Sequence, residues 1–392
     1  MKLFFVHEVS YVEKVIFEMH EFPEILASRL HEIHFYDFPE RTSRLMRSPG
    51  SGSRFISGRV HRESQVHLIS PRTISFGILQ RITVMPYSFF DLYRKLRTIN
   101  PDVIVTYAVP TYGLQVLLLA KLLKIPIVYR AIDVSHMIRR SKLNPLVKIL
   151  EGQVIKRSTY ISCNNTAMRD YVISRGANSE RVTTNYAPID FAHFRRSEDL
   201  GEKNLKNLFF LGTLFSFTGL KEFILAANRD LLFEEGYTLT IVGSGEENNS
   251  LRSLVDSLGL IGKIHFTGMI PYADLSTYLD HAGIALNPFV KSPLTDIALP
   301  HKVIQYAAAE LPIVSTPLNG LLGLFDTAQT IFWARTPEEM VSLIRAVNKM
   351  KLIDLKARIQ LQTDNLNSKL ESSKVIESFE SVLNTARKRR LS

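Results

Sequence analysis

One 18-residue segment concentrates the chemistry open to this chain: Leu299-Pro300-His301-Lys302-Val303-Ile304-Gln305-Tyr306-Ala307-Ala308-Ala309-Glu310-Leu311-Pro312-Ile313-Val314-Ser315-Thr316. Pro300 suits the first position of a helix, whose free amides can face a phosphate. Lys302 and Gln305 are three apart and share one face of that helix. Tyr306, Ala307 and Ala308 then turn inward, and the small residues let the helix approach the strand Ile313-Ser315. Lys302 and Gln305 also admit a plainer reading as surface polar groups, but the arrangement of all these parts favours an anion site.

Two glycine-bearing loops add to it. In Gly212-Thr213-Leu214-Phe215-Ser216-Phe217-Thr218-Gly219-Leu220-Lys221 a strand end precedes a helix start, so backbone amides can approach an anion and Lys221 can add charge. Gly243-Ser244-Gly245 lacks the third glycine of a dinucleotide fingerprint and gives little support to a nicotinamide-dependent oxidoreductase. Taken singly, each loop reads equally as an ordinary strand-to-helix turn. In the first half, Arg130-Ala131-Ile132-Asp133-Val134-Ser135-His136 leaves a strand. Asp133 is either a functional acid or the partner of Arg130 or Arg139 in an ion pair, and His136 is a titratable neighbour. No Asp-x-Asp pair suits a magnesium diphosphate, and the 11 histidines show no ligand spacing on one helix. The single cysteine, Cys163, rules out a disulfide framework and a cysteine zinc site.

These residues need elements to hold them. In the second half, short apolar runs recur at Asn207-Gly212, Tyr237-Gly243, Lys263-Gly268, Ile284-Asn287, Pro312-Thr316 and Thr330-Trp333, separated by helical patterns at Leu220-Asp230, Glu246-Leu258 and Pro300-Glu310. Such runs describe a parallel sheet covered on both faces. The first half repeats the logic, with strands at Leu3-Val6, Glu32-Tyr36, Val103-Tyr107, Ile127-Arg130 and Tyr160-Cys163. Its helical patterns are Val12-Leu30, Ser88-Ile99, Tyr112-Leu123, Pro145-Ser158 and Thr166-Arg175, with a kink or break expected at Pro23 and an N-cap at Asn144. The expected class is α/β, with two doubly wound domains facing across a cleft. Residues 1–190 form the first, 191–370 the second, and 371–392 a C-terminal helix returning to the first.

Of 392 residues, 45% are apolar and 22% charged, the balance of a folded globular protein rather than a disordered one. The opening Met1-Lys2-Leu3-Phe4-Phe5-Val6 meets acids at once, so no secretory leader is expected, and the charge-free run Val103-Ala120 is interrupted by Pro110 and Gly113. The net charge is +10, yet between Arg41 and Lys148 there are 18 Lys and Arg against four acids, Glu63, Asp91, Asp102 and Asp133. That field draws anions, whether lipid headgroups, a lipid-linked phosphate or nucleic acid. Arg47-Glu63, rich in Gly, Ser and Arg, reads as a mobile loop. Met85-Pro86-Tyr87-Ser88-Phe89-Phe90, flanked by Arg81, Arg94, Lys95 and Arg97, suits a membrane surface, although Phe89, Leu92, Tyr93 and Leu96 equally describe the buried stripe of a core helix. The terminal Arg387-Arg390 run is a solvated end or an addition to the basic surface.

From Leu208 to Gly320 the chain resembles the nucleotide-binding domain of GT-B glycosyltransferases, in particular the large retaining family-four group. FFLGT, GLKEFILAA, TLTIVGSGEE, KIHFTGMIPYADLSTYLDHAGIALNP and PHKVIQYAAAELPIVST occur in the family's order. HEIHFYDF, NPDVIVTY, KIPIVYRAIDVSH and RVTTNYAPIDFAHF resemble its acceptor-domain strands and linker, so the likeness covers nearly the whole chain. The resemblance implies a nucleotide-diphosphate sugar in the second domain, a UDP-sugar being slightly favoured. The base would lie by Gly243-Ser244-Gly245 and Phe266-Thr267-Gly268-Met269, and the diphosphate by Gly212-Thr213 and the Pro300 helix, stabilised by Lys302 and secondly by Lys221.

Where relatives carry two glutamates eight positions apart, this chain has Ile297 and Gln305. The amide of Gln305 can serve the ribose hydroxyls, and Asp296 or the amides of Ile297 to Leu299 would replace the sugar-contacting glutamate. Thr218 stands where a Lys or Arg is usual, and His7-Glu8-Val9-Ser10 replaces a glycine-rich loop. The K-x-x-Q-Y pattern of Lys302-Val303-Ile304-Gln305-Tyr306 is similar to that of the membrane-associated xanthan glucuronosyltransferase. Asp133 and His136 fall where relatives approach the transferred sugar. The resemblance thus implies a retaining, metal-independent transferase with no cofactor, peripheral on the cytoplasmic face, acting on a glycan or lipid-linked acceptor through the basic first domain. Other classes remain on the same fold: a nucleotide-sugar epimerase, or a non-catalytic nucleotide-sugar or nucleic-acid binding protein. The epimerase would need acids and histidines converging on one sugar. A nucleic-acid partner, disfavoured here, would need aromatic platforms beside the basic groups.

Overall fold

Runs such as Leu3-Phe4-Phe5-Val6 and Val103-Ile104-Val105-Thr106 have no polar alternation, because a central parallel strand is buried on both faces. The computed structural model describes residues 1–13, 16–38, 52–71, 79–138, 142–194, 204–325 and 330–389, with backbone only at 52 and 79–83. The chain divides into two units, Met1–Pro188 with Ser372–Ser392, and Ile189–Glu371.

The first unit has eight strands: β1 (Lys2–Val6), β2 (Glu32–Tyr36), β3 (Gly52–Ser57), β4 (Gln65–Ser70), β5 (Val103–Thr106), β6 (Ile127–Ala131), β7 (Tyr160–Cys163) and β8 (Val182–Thr184). They stand in the order β3-β4-β2-β1-β5-β6-β7-β8, parallel except for the antiparallel β3–β4 pair at one edge. Leu3, Phe5, Ile33, Phe35, Val103 and Val105 turn to one face, where the helices Glu18–Ser28 and Ser372–Lys388 cover them. The last helix does so through Val375, Ile376, Phe379, Val382, Leu383 and Ala386, a helical stripe, with the Phe379 and Phe22 rings 4.5 Å apart. On the other face Tyr36 donates to Asp91 of the helix Leu79–Ile99 and packs edge-on against Tyr112. Beside that helix lie Gly113–Leu123 and Asn144–Arg157. Each fully buried Leu, Val or Phe in these layers contributes roughly 1.5–3 kcal/mol.

Several local expectations are corrected. Within the expected Arg47-Glu63 loop, residues 52–57 form an edge strand, because β4 supplies the hydrogen bonds that the local composition does not advertise. The first helix begins at Glu18 rather than Val12, and Pro23 lies inside it without breaking it. Leu143, not Asn144, occupies the N-cap of the fourth helix, with Pro145 inside its first turn. In Leu79–Ile99, Leu92 and Leu96 are buried as a core stripe requires, Phe89 and Tyr93 are half-buried, and Phe90 is exposed. Arg387 pairs with Asp102 and Arg389 lies over the Tyr160 ring. Arg41, Arg44, Arg47, Arg72, Arg139, Arg140 and Arg390 lie outside the described residues.

The second unit has six parallel strands: β9 (Asn207–Leu211), β10 (Thr238–Val242), β11 (Ile264–Gly268), β12 (Ile284–Asn287), β13 (Ile313–Ser315) and β14 (Phe332–Trp333). Their order is β11-β10-β9-β12-β13-β14. The chain runs outward from β9 to β11 and then returns beside β9 as β12. Strand order therefore reverses between β9 and β12, and a crevice opens beyond their carboxyl ends, where open α/β sheets bind ligands.

Candidate functional site

The floor of that crevice is backbone. Gly212, Gly243 and Gly268 end β9, β10 and β11 or follow them directly, all at positive φ. The Gly212 N–H donates to Val242 O at 2.9 Å, and the Gly243 N–H donates to Gly268 O at 2.9 Å. Leu214 N donates to Ser244 O at 3.1 Å. A methyl group on Gly243 would overlap the Gly212 carbonyl, and one on Gly245 would overlap Leu214 backbone. The loops fit because they lack side chains, which leaves their outer surface open to a ligand. Gly219, also at positive φ, lies so close to the Pro288 carbonyl that no Cβ fits. That contact fixes the Phe215–Gly219 turn against the end of β12, with Val290 N donating to Phe217 O at 3.0 Å.

Lys302 rises from the first turn of the helix His301–Ala308 into this floor. Its ammonium lies 3.7 Å from the centre of the Phe210 ring and 4.6 Å from that of Phe289. Gly212 leaves room for it, since a Cβ there would stand 3.0 Å from Nζ. Lys302 is 8% exposed, and among the described residues it has neither carboxylate nor hydrogen-bond acceptor. Burial alone pushes its pKa well below the ordinary lysine value. The aromatic faces offset part of the desolvation, and an anion would supply the rest. Tyr306 holds the helix in place, its hydroxyl accepting from Leu211 N at 2.7 Å. Gln305 is buried one turn after Lys302, without a side-chain hydrogen bond among the described residues. Phe210 and Phe289, which make this cation site, escaped the sequence reading because each also fits an ordinary core or loop.

The other candidates in this unit are placed as follows. Thr213 is exposed on the floor loop. Lys221 is exposed on the first turn of the helix Leu220–Arg229, with no ion pair or hydrogen bond among the described residues. Phe266 is half-buried under the Arg252 guanidinium at 4.6 Å, and Thr267 donates to Gly268 O at 2.9 Å. The Thr218 hydroxyl is taken by Phe215 O at 2.7 Å. Leu299 is buried just before the helix. Asp296 is already engaged: it pairs with Lys291 at 3.0 Å and accepts from Asn319 N and Nδ2 at 3.0 and 2.8 Å.

In the first unit, the loop after β1 is closed from within. Glu8 is buried and accepts from Thr111 N at 2.7 Å and Tyr112 N at 2.8 Å, occupying amides that a glycine-rich loop would leave free. Arg130 is wholly buried and spoken for by Glu18, with Nε–Oε1 at 2.7 Å and Nη2–Oε2 at 2.9 Å, and by Ser162. The alternative ion pair of Asp133 with Arg130 is therefore not made; Arg139 lies outside the described residues. Asp133 is exposed at the surface, yet the protein packed around it, and secondly the Glu18 charge, push its carboxyl up to about 6. His136 is buried with Nδ1 2.8 Å from Glu151 Oε2. Glu151 also accepts from Ser135 N at 2.7 Å and the Tyr171 hydroxyl at 2.6 Å, so the imidazole is held from behind. Glu18 and Glu151 were missed because each lies in another helix.

Comparison with known proteins agrees with this geometry. Residues 205–350 match the family model described as glycosyl transferases group 1, and residues 20–193 match the one described as Glycosyltransferase Family 4. No curated protein matches the chain in sequence. Anabaena HepE, solved in complex with UDP and glucose, superposes with a TM-score of 0.75 at 13% identity, covering 98% of this chain and 100% of that one. Sucrose-phosphate synthase from Thermosynechococcus elongatus gives a TM-score of 0.75 at 11% identity, with 98% of each chain covered. An S. aureus TarM mutant, solved with fondaparinux, alpha-GlcNAc-glycerol and UDP, gives 0.71 at 8%, covering 98% of this chain and 99% of that one. Such identities speak to fold alone, and the family models carry the activity. With a glycosyltransferase domain in each half and this architecture throughout, the chain is a GT-B glycosyltransferase.

Proposed function

We propose that this glycosyltransferase moves a sugar from a nucleotide-diphosphate donor to a membrane-associated acceptor, a lipid-linked or cell-surface glycan, with retention and without a metal ion. The observation that carries the reading is Lys302, an ammonium buried at the switch point without a counter-ion among the described residues. A diphosphate along Gly212-Thr213 and the first turn of His301–Ala308 supplies that counter-ion. As the bond between the anomeric carbon and the phosphate oxygen breaks, its electron pair goes to the diphosphate. Lys302 and the helix amides then meet more charge in the transition state than in the ground state.

Gln305 accepts from the ribose hydroxyls, and the base lies by Gly243-Ser244-Gly245 and Phe266-Thr267-Gly268. Asp296 is held by Lys291 and Asn319, and the Ala298 N–H donates to Thr295 O at 3.1 Å, so within Ile297 to Leu299 the Leu299 amide is preferred for the sugar. Asp133 and His136 are assigned to the catalytic step, with His136 Nδ1 held by Glu151. HepE has been solved with UDP-glucose and the TarM mutant with UDP, which favours a UDP-sugar here. The enzyme works as a peripheral protein on the cytoplasmic face.

The test is a thermal-shift titration with UDP-, GDP-, ADP- and TDP-sugars on the wild type, Lys302→Ala and Gln305→Ala. A ligand that binds only the folded state raises Tm by mass action. A selective rise that disappears in Lys302→Ala supports the donor site. No rise with any nucleotide sugar refutes it.

A further inference from the structure

We propose that the outer face of three adjacent helices in the first unit docks on an anionic lipid bilayer. This deepens the membrane-acceptor reading above, and its test does not depend on sugar transfer. The helices Leu79–Ile99, Gly113–Leu123 and Asn144–Arg157 lie side by side over one face of the eight-stranded sheet. The middle one, GLQVLLLAKLL, is apolar nearly all round. Its inner side buries Val116, Leu119 and Ala120, as a sheet-covering helix must. Its outer line, Leu114, Leu118 and Leu122 at intervals of four, meets solvent, where such helices ordinarily carry polar groups. Phe90 on one neighbour and Leu146 and Ile149 on the other are exposed as well, and these six residues are between 40% and 67% exposed. Isolated exposed apolar residues need no explanation, but six on three neighbouring helices call for a partner.

Charge selects the partner. Arg94, Arg97, Lys121, Lys124, Lys148 and Lys156 are exposed on or beside these helices. The only acids within the three are Asp91, half-buried and accepting from Tyr36, and Glu151, buried and bound to Ser135, His136 and Tyr171. A second copy seated there by two-fold symmetry would set cation against cation. Nucleic acid would use the cations but leave a line of aliphatic leucines without bases to stack on. A bilayer satisfies both: Leu and Phe enter the acyl boundary while Lys and Arg stay among anionic headgroups. Among the described residues no helix is long and apolar enough to cross a membrane, so the docking is interfacial.

The full chain is tested by flotation with vesicles of phosphatidylcholine alone and of phosphatidylcholine with phosphatidylglycerol. The wild type is expected to float with the anionic vesicles, less so as salt rises, and not with the neutral ones. Leu118→Gln with Leu122→Gln should lower partitioning roughly tenfold, and Ile149→Gln should lower it less, both with unchanged Tm because all three side chains are exposed. Lys302→Ala should float like the wild type, so failure of the donor site and failure of the docking face are told apart. The proposal is overturned if the wild type does not float, if it floats equally with neutral vesicles, or if the double variant floats as the wild type does. A wild-type dimer in light scattering that the double variant dissociates also overturns it.

Discussion

Replacing Lys302 with methionine should make the protein both more stable and unresponsive to nucleotide. The Lys302 ammonium is 8% exposed and, among the described residues, is offset only by the faces of Phe210 and Phe289. Two desolvated cation–π contacts, each of about 1–2 kcal/mol, do not recover the several kcal/mol needed to strip an ammonium of water. Methionine keeps the length of the stem and removes the charge, so a gain of about 1–3 kcal/mol is expected. In a domain of this size that raises Tm by roughly 2–10 °C. Deleting a cation aimed at developing charge costs about 2.7–4 kcal/mol in the transition state, roughly 10²–10³-fold in turnover.

The pH dependence has a definite sign. Burial holds the folded-state pKa of Lys302 well below its ordinary value, which the unfolded chain retains. Between those two values the unfolded state binds more protons, so wild-type stability rises with pH across that window, and Lys302→Met lacks the slope. Scanning fluorimetry from pH 7 to 10, with and without UDP, reads all three effects. A variant that melts below the wild type, keeps its pH slope and still responds to UDP would refute the reasoning.

Gly243→Ala should cost at least about 2 kcal/mol in urea unfolding and abolish the UDP shift, because its methyl meets the Gly212 carbonyl at a positive φ. Gly268→Ala, also at positive φ but with open space around it, should cost only about 1–2 kcal/mol. Glu18→Gln leaves the Arg130 guanidinium buried without its counter-charge and should cost about 3–5 kcal/mol by the same urea assay. Asp133 carries a carboxyl pushed up to about 6 from 3.8, so its ionisation penalises the fold above that range and not below it. Asp133→Asn should therefore raise Tm at pH 7.5, with the gain fading toward pH 4; a gain independent of pH would contradict the assignment.

What could be read in advance follows from the range of each interaction. The strands Glu32–Tyr36, Tyr160–Cys163 and Ile284–Asn287 were legible to the residue, because a buried parallel strand is a local apolar run with definite ends. The edge strand Gly52–Ser57 was not, because its order comes from Gln65–Ser70 rather than from its own Gly, Ser and Arg. Lys302 and Gln305 were legible as one helix face. That Lys302 stands between two phenylalanine rings was not, since Phe210 is 92 positions before it in the chain.

Local residue patterns were enough to mark out two α/β halves, glycine-bearing loops after two strands of the second half, and a helix opening on Pro300 with Lys302 and Gln305 together. All of these are matters of composition and period within a few turns of chain. The folded arrangement settles which charges are free to act. It spends Arg130 on Glu18, Asp296 on Lys291 and Asn319, and Glu8 on the amides of Thr111 and Tyr112, while leaving Lys302 buried with no counter-ion among the described residues. It also turned Leu114, Leu118 and Leu122 outward. Pairing and exposure depend on groups brought together from far along the chain, and no local pattern of residue types records which acid will find which base.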